Sequence, residues 1–174
     1  MTTVTSPTVF PPSPRAVNFV IAGGCTGMIL FALYLQEKLS LHPCPLCITQ
    51  RICVIAIGVI ALVAALHNPA RTGVRFYAVL QSFVAIIGMI VSGNHVRIQH
   101  LPEDQVPACG PGLQYLFENF PLQQAVKLLF RGDGNCHIVD WTLLGLSIPE
   151  MVFICCTGLL LLNLWQLFRA PRRT

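Results

Sequence analysis

The sequence predicts an all-α protein, a transmembrane four-helix bundle with both termini cytoplasmic and a long loop on the far side carrying a short interfacial helix. Three observations predict it. The 174 residues are 54% hydrophobic and only 10% charged, with a mean hydropathy of +0.66, whereas a soluble domain carries about a quarter charged residues. Four apolar stretches are each close to the ~20 residues that cross a hydrocarbon core as helix. The charges are also divided unevenly between the segments that join those stretches.

The N-terminal tail, with Pro7, Pro11, Pro12 and Pro14, reads as a short disordered lead. The first span runs from Val17 to Leu35. Its apolar run is too long for a signal-peptide core, and no small-x-small cleavage pattern follows in "QEKLS". The second, third and fourth spans cover Ile48 to Leu66, Val74 to Val91 and Met151 to Phe168. Backbone groups in lipid must pair within their own segment, so each span reads as a helix. Arg51 and Arg75 are the charges inside them, each near an end from which a long side chain reaches the headgroups. The whole chain, 1–174, forms a single membrane domain with outer loops over about 36–47 and 92–150.

The tails and the link after the second span carry Arg15, Arg71, Arg75, Arg169, Arg172 and Arg173 and no acid. All seven acids, Glu37, Glu103, Asp104, Glu118, Asp133, Asp140 and Glu150, fall on the other side. The positive-inside rule therefore places the termini in the cytoplasm. In the long outer loop, Leu122, Ala125, Val126, Leu129 and Phe130 recur at helical spacing, with Gln123, Gln124 and Lys127 opposite. A short amphipathic helix beside a membrane lies in the interface.

This arrangement divides the eight cysteines. Cys25, Cys53, Cys155 and Cys156 lie in the spans, where a thiol serves as a small hydrophobe. Cys44, Cys47, Cys109 and Cys136 lie outside, and in a bacterial cell that side is oxidising. Cys44 and Cys47 form a C-x-x-C in "HPCPLCITQR", whose disulfide closes a small strained ring that is easily reduced. Cys47 opens the second helix, where the dipole and unpaired amides favour a thiolate. Arg51 stands one turn later on the same face. It is either an interfacial anchor or a donor to a bound carbonyl oxygen. Cys109, in "PACGPG", and Cys136, after "RGDGN", have 26 residues between them and lie on turn-rich segments. They suit either contact with another protein or a structural clamp on the loop. A zinc site is the third possibility, although the second pair lacks the spacing of a zinc knuckle, and no metal is expected.

Other chemistries find no support. His42, His67, His95, His100 and His137 are scattered without H-E-x-x-H, and there is no G-x-S-x-G, P-loop or dinucleotide glycine motif. A net charge of +4 without a basic block argues against nucleic acid. Two outward cysteine pairs at a membrane surface instead suggest electron relay by thiol–disulfide exchange.

With its four spans, "CPLCITQR", "NHVRIQHLPEDQVPACGPGL" and "GDGNCHIVDWTLLGLSIPE", the chain resembles the DsbB family, the quinone-linked thiol oxidases of the bacterial inner membrane. The resemblance implies two redox disulfides, Cys44–Cys47 and Cys109–Cys136. A reduced periplasmic DsbA-like thioredoxin-fold oxidase would attack at Cys109. Electrons would pass to Cys44 and Cys47, and Cys47, with Arg51 and His95, would face ubiquinone or menaquinone. The alternatives are a redox protein of the vitamin K epoxide reductase type and a non-catalytic membrane protein with stapled outer loops.

Overall fold

The computed structural model describes residues 13–40, 43–108, 121, 123, 130–139 and 141–169. Cys109 and most of the expected interfacial helix lie outside the described residues. Among the described residues four long helices form the bundle: α1 (Pro14–Leu39), α2 (Pro45–His67), α3 (Arg71–Gln99) and α4 (Ile148–Arg169). All four are long and apolar enough to cross a membrane, so the chain is a multi-pass all-α bundle. Large apolar side chains such as Phe76, Phe83, Ile90 and Leu161 point outward, as a lipid solvent requires.

Each helix outruns the apolar stretch within it, because hydrogen bonding continues where hydropathy has already fallen. Pro14 and Pro45 occupy first-turn positions that need no N–H. Ser13 caps α1 by accepting from the Ala16 amide at 3.3 Å. Asn68 ends α2 at a positive φ of 45°. The largest extension is at α3, which continues through Ser92, His95 and Arg97 to Gln99 and stops before Pro102. At the start of α4 the Glu150 carboxylate reaches back and accepts from the Ser147 amide at 2.6 Å, one half of a capping box. Just before it, β1 (Thr142–Leu143) and β2 (Leu146–Ser147) make a small antiparallel hairpin. Its two turn residues, Leu144 and Gly145, both have positive φ, as a tight primed turn demands. The spacing of apolar residues gave no sign of this hairpin.

Neighbouring helices pack α1 on α2, α2 on α3 and α3 on α4. Near the chain termini α1 is tied to both α3 and α4 by buried amides. Asn18 Nδ2 donates to Gln166 Oε1 at 3.1 Å, and Gln81 Nε2 donates to Asn18 Oδ1 at 3.0 Å. Interhelical bonds of this kind hold helices together in lipid, where apolar burial contributes little. The span cysteines sit where glycines make room. A Cβ at Gly88 would come within 2.9 Å of the Cys156 sulfur, and one at Gly58 within 3.0 Å of Cys25 Cβ.

Gly88→Ala should therefore destabilise the bundle by about 1–3 kcal/mol through overpacking, lowering the thermal midpoint in detergent. Cys156→Ala in the same chain should recover much of that loss, a coupling that a double-mutant cycle measures.

Candidate functional site

The site is assembled at the loop end, where the first turn of α2 meets the end of α3 and the segment around Cys136. Pro45 begins α2, which makes Cys44 its N-cap. The Cys47 amide donates to the Cys44 sulfur at 3.4 Å, and the two sulfurs are 3.3 Å apart as free thiols. The position expected for Cys47 at the helix opening thus belongs to Cys44, and Cys47 lies three residues into α2.

Leu46, between them, is fully buried and fixes the loop above. A Cβ at Gly132 would lie 2.7 Å from Leu46 Cδ1 and 3.0 Å from Ile98 Cδ1. Gly132 also has a φ of +76°, so shape and backbone both call for glycine. The chain then forms a 3₁₀ turn over Gly134–His137, capped by Asp133, whose carboxylate accepts from the Asn135 amide at 3.1 Å. His137 Nδ1 is 2.9 Å from the Ile98 carbonyl, and this anchors the turn to the end of α3.

These contacts bury Cys136 completely, in one cluster with Cys44, Leu46, Val91 and Ile98. The adjacent Cys44 sulfur, together with burial, raises the Cys136 thiol above the ordinary cysteine range. On the other flank of the loop the Ala108 carbonyl accepts from the Gly134 amide at 3.3 Å. The residue preceding Cys109 is therefore held against the segment that carries Cys136.

His95 is buried, with Nε2 3.8 Å from the Cys44 sulfur and Nδ1 3.2 Å from the Gln50 amide nitrogen. The extension of α3 past Ser92 brings it there. It lines a small cleft of about 40 Å³ with Cys44, Cys47, Gln99 and Trp141.

A larger cavity of about 240 Å³ lies between α1, α2 and α4 on the other side of Cys47. Its walls are apolar, including Met28, Phe31, Leu35, Met151 and Val152, while Gln36, Cys47, Gln50 and Arg51 form a polar end. Arg51 Nη1 donates to Gln36 Oε1 at 2.7 Å, and Nη2 to the Ala32 carbonyl at 3.5 Å. Cys47 lines both spaces. His95 is not among the residues described around the larger cavity, since α3 lies across the bundle from it. Cys155 lines that cavity, while Cys25, Cys53 and Cys156 are packed in the bundle.

A sequence model of the family described as Disulfide bond formation protein DsbB matches residues 14–166. The chain is 56% identical to disulfide bond formation protein B of Saccharophagus degradans over 89% of its own length and 93% of that protein. The identity to the protein of the same name from Methylococcus capsulatus is 49%, over 92% and 98%. The chain belongs to the DsbB family. As a DsbB-family protein it is a thiol oxidoreductase of disulfide bond formation, carried on four membrane-spanning helices.

Sequence reasoning overlooked Gln50 and Gln36, the partners of His95 and Arg51. Gln50 could have been noticed, because it follows Cys47 by three residues and so shares its helix face. Gln36 could not, since nothing local links it to Arg51, 15 residues away.

The three described outer thiols differ in access, and their alkylation should follow. In the reduced protein, iodoacetamide should label the half-buried Cys47 first and the fully buried Cys136 last. Because the Cys136 thiol is raised, it stays far from full ionisation, so moving from pH 7 to 9 should multiply its slow labelling rate by more than that of an ordinary cysteine, which begins to saturate over that range. Peptide mass spectrometry over time checks both orders.

Proposed function

We propose that the protein reoxidises a periplasmic DsbA-like dithiol oxidase and delivers the electrons to ubiquinone or menaquinone in the bacterial inner membrane, with its thiol end in the periplasm. The supporting observation is the line of sulfurs. Cys136 is packed on Cys44, Cys44 is 3.3 Å from Cys47, and Cys47 lines the apolar cavity. The placement of Ala108 against Gly134 supports pairing of Cys109 with Cys136. The arginines at the terminal end favour the orientation.

The chemistry is two successive exchanges. A partner thiolate attacks Cys109 of the Cys109–Cys136 disulfide, forming a mixed disulfide and releasing Cys136. The second partner thiol resolves the mixed disulfide, so the partner leaves oxidised and the Cys109–Cys136 pair holds two electrons. Cys136 lies where it can attack Cys44 of the Cys44–Cys47 disulfide, which frees Cys47 at the cavity. Completing that second exchange leaves Cys44 and Cys47 reduced and restores the Cys109–Cys136 disulfide.

The cavity suits a quinone, since apolar walls accept a ring and tail while Arg51 and Gln50 offer donors at the end that holds Cys47. A bound quinone supplies the acceptor for two electrons and two protons. Gln36 and the Ala32 carbonyl hold Arg51, which keeps a positive charge beside the reacting thiol. The Phe31–Trp141 edge contact, with centroids 5.8 Å apart, braces α1 against the loop.

Anaerobic mixing of the purified protein with a reduced thioredoxin-fold dithiol partner, followed by quinone absorbance, should give one quinol per partner disulfide. Cys44→Ser and Cys47→Ser should abolish it. Arg51→Gln should raise the KM for quinone about ten- to a hundredfold, the value of one charge-assisted hydrogen bond, while partner exchange at Cys109 persists. Absence of quinone reduction, or full turnover without Cys44 and Cys47, would overturn the reading.

A further inference from the structure

The thiol pair has a second neighbour besides the apolar cavity. Among the described residues, Cys44, Cys47 and His95 bring their ligand atoms within 4.8 Å of one another. The sulfurs are 3.3 Å apart, and Cys44 Sγ is 3.8 Å from His95 Nε2. Zinc bonds of about 2.3 Å to sulfur and 2.0–2.1 Å to nitrogen, set tetrahedrally, separate two sulfurs by about 3.8 Å and sulfur from nitrogen by about 3.6 Å. Both measured edges match to within about half an ångström, which a small side-chain adjustment supplies.

The surroundings fit as well. The three residues line the cleft of about 40 Å³, distinct from the larger cavity, and this leaves room for a water as fourth ligand. Gln50 faces the other ring nitrogen at 3.2 Å. With its amide oxygen turned to the ring, it accepts from Nδ1–H and leaves the Nε2 lone pair free, as an outer partner of a metal-bound histidine does. Two thiolates, an imidazole and a water form a set that suits zinc and keeps one exchangeable position.

We propose that the reduced protein binds one Zn²⁺ through Cys44 Sγ, Cys47 Sγ and His95 Nε2 in this cleft, and that the ion arrests the thiol pair. Binding replaces two S–H protons, which are released to solvent. A disulfide between Cys44 and Cys47 removes two of the three ligands, so the ion and the oxidised pair exclude each other. The arrest of turnover rests on the function proposed above, whereas binding of the ion does not.

Cobalt(II), a coloured substitute for zinc, is the probe. The whole protein in detergent, reduced with a phosphine and freed of quinone, should take up one Co²⁺ per chain with an intense sulfur-to-cobalt absorption band, and Zn²⁺ should displace it. Protein whose Cys44–Cys47 disulfide has been formed beforehand with diamide, which oxidises dithiols directly and needs no quinone site, should show no such band, a comparison that needs no mutation. Cys47→Ser and His95→Gln should each weaken uptake at least tenfold. Where turnover is measurable, Zn²⁺ should stop it and a chelator should restore it. No band in the reduced protein, equal uptake by the oxidised protein, or unchanged affinity in both variants would overturn the site. Quinone reduction without cobalt binding leaves the proposed function standing, and cobalt binding without quinone reduction leaves the metal site standing.

Discussion

Where α2 begins decides the geometry of the site. Pro45 has no N–H to place in a helix, so it occupies the first turn and leaves Cys44 as the cap. From that single choice the other positions follow. Cys47 comes three residues into the helix and reaches the cavity, Gln50 another turn on meets His95, and Arg51 turns toward α1. The proline that stiffens the C-x-x-C also fixes which sulfur receives the helix amide. Leu46, buried between the cysteines, then carries the loop, because a glycine at 132 leaves room for its side chain.

The two ends of the bundle solve opposite problems. At the terminal end, buried amides draw α1 toward α3 and α4. At the loop end α1 and α4 stay apart, and the gap between them is the cavity. In lipid, apolar side chains gain little from turning inward, so polar contacts have a disproportionate say in where helices meet and where they separate. An apolar chamber can persist within the membrane because its walls cost no more there than on the outside, and its few polar groups gather at the end nearest water.

Closeness of sulfurs serves exchange and chelation alike. Thiol–disulfide exchange needs sulfurs that can approach in line, and a short distance between two thiols and an imidazole is also what a soft cation requires. Burial of Cys136 restrains part of this reactivity, since a thiol raised by its neighbour and its surroundings stays protonated and waits for a partner. The outer sulfurs are thus graded, with Cys47 half-buried and Cys136 shielded.

The sequence alone determined the number of spans, their helical nature and the division of the cysteines, because lipid imposes length, composition and internal hydrogen bonding on each span independently of its neighbours. It also marked Cys44, Cys47 and Arg51, which are close in the chain and lie within the first two turns of α2 and its cap. It could not place His95, since the hydropathy signal ends near Val91 while α3 continues to Gln99. Nor could it join Cys136 to Cys44, Gln36 to Arg51 or His95 to Gln50, pairs separated by 15 to 92 residues. Those meetings depend on which helix faces pack and on a glycine that lets the loop settle on Leu46, so tertiary structure alone decided them.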